Sequence, residues 1–337
     1  MLVDLTSGVL NVEGKPVFRL YWCGFFEGIE VNQLKYRAKN ENVVGHVAAL
    51  FTILVWGTTF VSTKVLLVDF SPIEILFIRF VMGLLALFLI APKLTRWMGW
   101  RHERLFMLAG LLGVTLYYLL ENIALTGTLA TNVGVIVSVS PFFTAMLERL
   151  VNKENSLSVQ FILGFVLAMA GICLISFSES GFMFSFSGDV LALCAALVWA
   201  CYSVCMTRIS RLGLPTVRAT RRVFEYGVLF MIPALPLLGF SLDAAALTES
   251  VNLGNLLFLG LGASAACFVT WNFSVKRLGA VVTSVYIYLV PVITALASWV
   301  VLSEQLTGLA WFGVALTIAG LFVSQGSEFL KARKQQE

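Results

Sequence analysis

From Ile73 to Ala91 every residue except Glu74 and Arg79 is apolar, and the apolar side chains follow one another without alternating. At 1.5 Å per residue such a run nearly crosses a hydrocarbon core of about 30 Å. Backbone groups in lipid must be satisfied within their own segment, so the run predicts a helix. A membrane-barrel strand would need alternating segments of about 10 residues instead. The rest of the chain repeats the pattern. Of its 337 residues 59% are hydrophobic and 12% charged, against about 25% charged in an ordinary soluble domain. A soluble domain, a disordered chain and a secreted disulfide scaffold are excluded together. The net charge of +4 gives no reason to expect a nucleic acid.

Apolar segments fall at 45–68, 72–92, 104–125, 128–150, 158–177, 188–208, 222–240, 252–275, 279–302 and 307–328. They predict an all-α membrane protein of ten transmembrane helices. Residues 1–44 lack a spanning run and a charged n-region followed by an apolar core, so no cleaved signal is expected there. They read as an N-terminal cytoplasmic extension, and 329–337 as a cytoplasmic tail. All Lys and Arg except Lys64 and Arg79 lie in 1–44, in the tail, or at connections 2–3, 4–5, 6–7 and 8–9. The positive-inside rule then places both termini in the cytoplasm.

The chain also matches itself. Gly45 to Trp56 aligns with Gly188 to Trp199 at an offset of 143, as do Pro72 with Pro215 and Arg79 with Arg222. At an offset of 150, Asn122 aligns with Asn272, Ala130 with Ala280, Pro141 with Pro291 and Glu154 with Glu304. Gly164 and Gly171 then match Gly313 and Gly320. Residues 45–177 and 188–325 read as two five-helix repeats. Five is odd, so the second copy enters from the opposite side. Inverted repeats of this kind build secondary transporters with a site near the bilayer midplane.

Several short motifs carry a family resemblance. They are Val55-Trp56-Gly57-Thr58-Thr59-Phe60, Pro72 with Arg79-Phe80, and Glu121-Asn122-Ile123-Ala124-Leu125. Thr128-Leu129-Ala130, Pro141 and Glu154 complete the first set, and the second half echoes it. On these the chain resembles the EamA-type ten-helix members of the drug/metabolite transporter superfamily. The resemblance implies an inner-membrane carrier, often an exporter of amino acids or other metabolites. It also implies that spans 1–4 and 6–9 surround the path, with spans 5 and 10 peripheral. The halves differ at two charges: Glu121 is matched by Trp271 and Lys64 by Thr207.

No H-E-x-x-H, G-x-S-x-G or P-loop occurs, so neither an enzyme nor ATP-driven transport is expected. No cofactor or metal is expected either. The cysteines, mostly within apolar runs, read as packing residues, and His46 and His102 as interfacial. Ionisable groups inside spans are costly and point to function. Arg79 or Lys64 could bind a solute carboxylate, with Glu121 as amine partner or proton acceptor. The competing reading is an ion-pair network or snorkelling to the interface. Glu148 reads as interfacial, and Arg222 with Glu225 as a pair along span 7.

Polar and aromatic residues complete the binding or gating candidates: Trp56, Thr59, Tyr117, Asn122, Trp199, Tyr202, Trp271, Asn272 and Tyr288. Pro141 and Pro291, mid-helix by sequence, are the hinge candidates. The expected function is alternating-access movement of small, amino-acid-like metabolites across the cytoplasmic membrane, as an exporter. The alternatives are an organic-cation or drug antiporter, and, from another class, a membrane enzyme or sensor scaffold. Expected partners are the bilayer and a small-molecule solute. A proton or counter-solute is the candidate driving partner, and a homodimer the candidate assembly.

Overall fold

The computed structural model describes residues 17–128, 130–153, 157–179, 185–241, 243–301 and 307–334. The chain divides into two compact units, residues 1–44 and 45–337. In the first, the described part is helical from Val17. No strand occurs among the described residues.

Among the described residues, eight helices are long and apolar enough to cross a membrane. They are α1 (Asn42–Leu66), α2 (Pro72–Ile90), α3 (Trp100–Gly127), α4 (Asn132–Asn152), α5 (Val159–Ser176), α6 (Phe186–Ser210), α8 (Ser250–Leu278) and α10 (Gly308–Gly326). Two shorter helices are also numbered, α7 (Thr216–Met231) and the apolar α9 (Ala280–Leu296). The segment expected at 222–240 is displaced for a local reason. Pro215 precedes the first turn, so the polar stretch with Arg218, Arg221 and Arg222 is helical, and Pro233 ends the helix soon after Met231. Helices α3 and α8 likewise exceed their apolar runs, because basic turns extend each beyond the apolar segment.

The start of α2 shows how a helix is set by sequence. Pro72 occupies its first turn, where a missing N–H costs nothing. Glu74 accepts a 2.7 Å hydrogen bond from the Ser71 N–H, and the N–H of Ser241 also donates to it at 2.8 Å.

Four helices are irregular at matching places. α3 contains a π-helical stretch at Leu111–Leu116, and α8 one at Phe258–Ala266. α4 is interrupted by a turn at residues 138–139, after which a helix runs over Ser140–Asn152. α9 tightens to a 3-10 turn at Val285–Tyr288. Pro141 therefore lies in a first turn and not mid-helix, and Pro291 lies in the first turn of the helix Leu289–Val301 that follows the 3-10 turn.

Glycines set the closest crossings, as between membrane helices generally. A Cβ at Gly171 would stand 2.6 Å from the Gly313 carbonyl, and one at Gly313 equally close to that of Gly171. One at Gly164 would stand 2.6 Å from the Gly320 carbonyl, and one at Gly320 2.7 Å from that of Gly164. These contacts bring α5 and α10 to backbone contact in antiparallel sense.

Candidate functional site

A small cavity, partly open to solvent, lies among α1, α3, α4, α6 and α9. Its lining is Trp56, Thr59 and Phe60 from α1, Tyr117, Tyr118 and Glu121 from α3, Val137 from α4, Trp199 from α6, and Ile287 and Val290 from α9.

The walls are aromatic. The rings of Trp56 and Trp199 meet edge to face with centroids 5.3 Å apart. Tyr117 lies 4.8 Å from Trp199 and 4.7 Å from Tyr118. Trp271 and Tyr202 stand behind this wall, 5.1 Å from Trp56 and 4.9 Å from Trp199 respectively. The Trp56 indole donates to the Ala263 carbonyl at 3.0 Å, within the π-helical stretch of α8. The Trp199 N–H is buried and has no hydrogen-bond partner among the described residues. Thr59 donates to the Trp56 carbonyl at 2.8 Å.

Glu121 is the one charged side chain lining the cavity among the described residues, and it is 4% exposed. Its electrostatic neighbours are the Tyr117 hydroxyl and the Arg79 guanidinium. Arg79 is itself buried, lies 4.5 Å from the centre of the Tyr118 ring and donates to Ser264 at 3.0 Å. It does not line the cavity. Lys64 is exposed and directed elsewhere. Its ammonium donates to the Leu125 carbonyl at 2.8 Å, capping the end of α3 where the helix dipole favours a cation.

The remaining candidates are placed as follows. Asn272 accepts from the Tyr202 hydroxyl at 2.8 Å and donates to Thr220 at 3.0 Å, tying α6, α7 and α8 together. Asn122 donates to the Pro72 carbonyl at 3.2 Å. Tyr288 belongs to a separate apolar cluster with Val135, Phe161 and Leu321.

Sequence reasoning missed Phe60, Tyr118, Val137, Ile287 and Val290 in the lining, since nothing local distinguishes them from other apolar side chains. It also missed a buried polar cluster. Glu103, fully buried, accepts from Arg222 at 2.8 Å and from the Tyr226 hydroxyl at 2.6 Å. The expected Arg222–Glu225 pair is present but longer, at 3.6 Å. Glu148 is packed inside the helix bundle. It is fully buried and accepts from Thr207 at 2.7 Å and from Asn152, because α4 and α6 pack over it.

A chain that is helical throughout its described residues, with this many apolar helices, defines a multi-pass membrane protein. The model of the EamA-like transporter family matches residues 43–177 and again 186–325. The chain therefore belongs to the EamA-like transporter family: it is a transporter and not an enzyme. It is 28% identical to an uncharacterized transporter of Archaeoglobus fulgidus, over 84% of this chain and 98% of the relative. It is 28% identical to a probable amino-acid metabolite efflux pump of Salmonella typhimurium, over 82% of this chain and 93% of the relative. It is 26% identical to a probable terminal-alkyne amino-acid exporter of Streptantibioticus cattleyicolor, over 82% and 91%. A crystal structure shares its fold at a TM-score of 0.67 and 20% identity, over 85% of this chain and 98% of the other.

Proposed function

We propose that the chain is a secondary carrier that exports a small amine-bearing metabolite across the cytoplasmic membrane by alternating access. Ten helices in two inverted repeats, 45–177 and 188–325, form the carrier, with both termini cytoplasmic. Residues 1–44 are an N-terminal extension and 329–337 a tail. The solute occupies the cavity at Trp56, Thr59, Tyr117, Glu121 and Trp199. Its movement follows its own gradient or that of a proton or counter-solute.

One observation carries this reading. Trp56 and Trp199 are counterparts at an offset of 143, and they touch each other inside the cavity. Residues related by a two-fold axis meet only on that axis, which supports an axis running through the binding cavity. The α5–α10 crossing agrees. Gly164 meets Gly320, the counterpart of Gly171, and Gly171 meets Gly313, the counterpart of Gly164. That reciprocity is the pattern of an antiparallel two-fold contact. The names of two relatives, an amino-acid metabolite efflux pump and an amino-acid exporter, support an amine-bearing solute and outward movement.

The test is purified protein in liposomes without ATP, offered a panel of amino acids, amines and related metabolites. At least one solute crosses faster than in empty vesicles. If none moves and none raises the melting temperature, the reading fails. A second reading, exchange of organic cations for protons, draws on Glu121 as the one charged lining group among the described residues. Glu121→Gln separates the two. Transport that persists with the same pH dependence removes Glu121 as the coupling residue.

A further inference from the structure

The cavity lining includes two side chains with polar groups of opposite kind, Glu121 and Trp199. Glu121 supplies a carboxylate, which only accepts when ionised. Trp199 supplies an indole N–H, which only donates. That N–H is buried and unpartnered among the described residues, and the side chain is 2% exposed.

The counterpart explains why the Trp199 donor is left over. Trp56 gives its N–H to the carbonyl of Ala263. The residue matching Ala263 in α3 is Gly113, and there the Tyr202 ring fills the space: a Cβ on Gly113 would lie 2.3 Å from the Tyr202 Cδ2. Thr59, the counterpart of Tyr202, is small enough to leave the Ala263 carbonyl within reach of Trp56. A buried donor without a partner is more costly than a made bond is favourable. Such a group in a cavity is one that an occupant can satisfy.

The surrounding charge selects the occupant further. The faces of Trp56, Tyr117, Tyr118 and Trp199 attract cations through their ring quadrupoles. No basic side chain lines the cavity among the described residues. Lys64 is engaged at the end of α3, and Arg79 with Ser264 and the Tyr118 ring.

We propose, resting on the carrier reading above, that the cavity recognises a small primary amine of net charge +1 that also carries a neutral carbonyl. The ammonium lies between Glu121 and the aromatic faces, and the carbonyl accepts from Trp199 Nε1–H. Trp199 is then a specificity-determining residue. A zwitterionic amino acid would bring a carboxylate to a site whose lining offers indole and hydroxyl donors but no cation. The amide of an amino acid is therefore preferred over the amino acid itself.

Three probes with one side chain test this: leucinamide, leucine and 3-methylbutylamine. Stabilisation of the full-length protein against heat gives an apparent Kd for each, and counterflow in liposomes reports transport. Leucinamide binds most tightly. 3-Methylbutylamine, lacking the acceptor, binds about tenfold more weakly, and leucine is weaker by about tenfold or more. Trp199→Phe keeps a ring and removes the donor, so it erases the advantage of leucinamide over 3-methylbutylamine. Glu121→Gln weakens both cations. The ranking on the unsubstituted protein stands as a test even if a variant fails to fold.

Leucine binding as tightly as leucinamide overturns the proposal. If that binding is lost in Arg79→Gln, the unpartnered Nη2 of Arg79 is the group that reads the carboxylate. Equal weakening of all three probes by Trp199→Phe also overturns it. Should none of the three bind while another metabolite is carried, the inference falls and the carrier reading stands. Should no solute move at all, both fall.

Discussion

Arg79 and Arg222 occupy matching positions in the two halves of the chain, yet they are held differently. Arg222 meets a fully buried carboxylate, Glu103, at 2.8 Å, with the Tyr226 hydroxyl on the same group. Arg79 has a serine and a tyrosine ring, and its Nη2 has no partner among the described residues. The residue 150 positions beyond Glu103 is Leu253, so the second half lacks the carboxylate. Trp56 and Trp199 differ in the same manner, one N–H bonded and the other free. The backbone crossings match between the halves while the polar chemistry does not.

The comparison breaks most visibly at Glu103. Replacing it by Leu, the residue of the other half, strands the Arg222 charge in a largely buried place. Loss of one partner of a buried pair costs about 3–5 kcal/mol, so Glu103→Leu lowers the melting temperature of the detergent-solubilised protein sharply. Arg79→Leu, which breaks no ion pair among the described residues, lowers it less. Equal losses would mean that the two arginines are held alike.

A smaller effect belongs to the helix crossing. Gly171→Leu and Gly313→Leu each push a side chain into the facing backbone, and overpacking of this order costs about 1–3 kcal/mol. Because the contact is reciprocal, the two variants lose stability to a similar degree in the same thermal assay. Gly254→Ala, where a Cβ meets nothing within 4 Å, does not. A large difference between Gly171→Leu and Gly313→Leu would argue against the reciprocal crossing.

The indoles sharpen the comparison at finer scale. Trp56→Phe removes a made hydrogen bond and costs about 0.5–1.5 kcal/mol. Trp199→Phe removes only an unpaired donor and leaves the unliganded melting temperature as it was or slightly higher. The smallest effect is expected of Lys64→Met, which withdraws a cation from the end of α3 at a cost of about 0.3–1 kcal/mol. Transport persists in that variant, since Lys64 does not line the cavity.

The frame of the fold was legible because its signals are local. Long apolar runs announce helices, and the Gly45–Trp56 and Gly188–Trp199 match announces a repeat. Ends were less legible. Apolar content overlooks polar first turns, as at α7, where Pro215 and Pro233 mark the helix better than hydrophobicity does. The site was legible in part. Trp56, Thr59, Tyr117, Glu121 and Trp199 meet in one cavity, since motif residues in α1, α3 and α6 are brought together by the crossing of the halves. Lys64 and Arg79 both stood out as charges within spans, Lys64 with a structural or gating role slightly favoured. Only packing shows that one caps a helix and the other lies against Tyr118. The Glu103–Arg222 bond joins residues 119 positions apart, with no pattern along the chain to reveal it.

The central claim is that the aromatic cavity between the halves carries a solute. Counterflow in liposomes without ATP tests it most directly, with labelled leucinamide outside and unlabelled leucinamide inside. Uptake above empty vesicles that falls in Glu121→Gln and Trp199→Phe is the predicted result. Uptake indifferent to both substitutions, or no uptake of this or any other amine or amino acid, would contradict it.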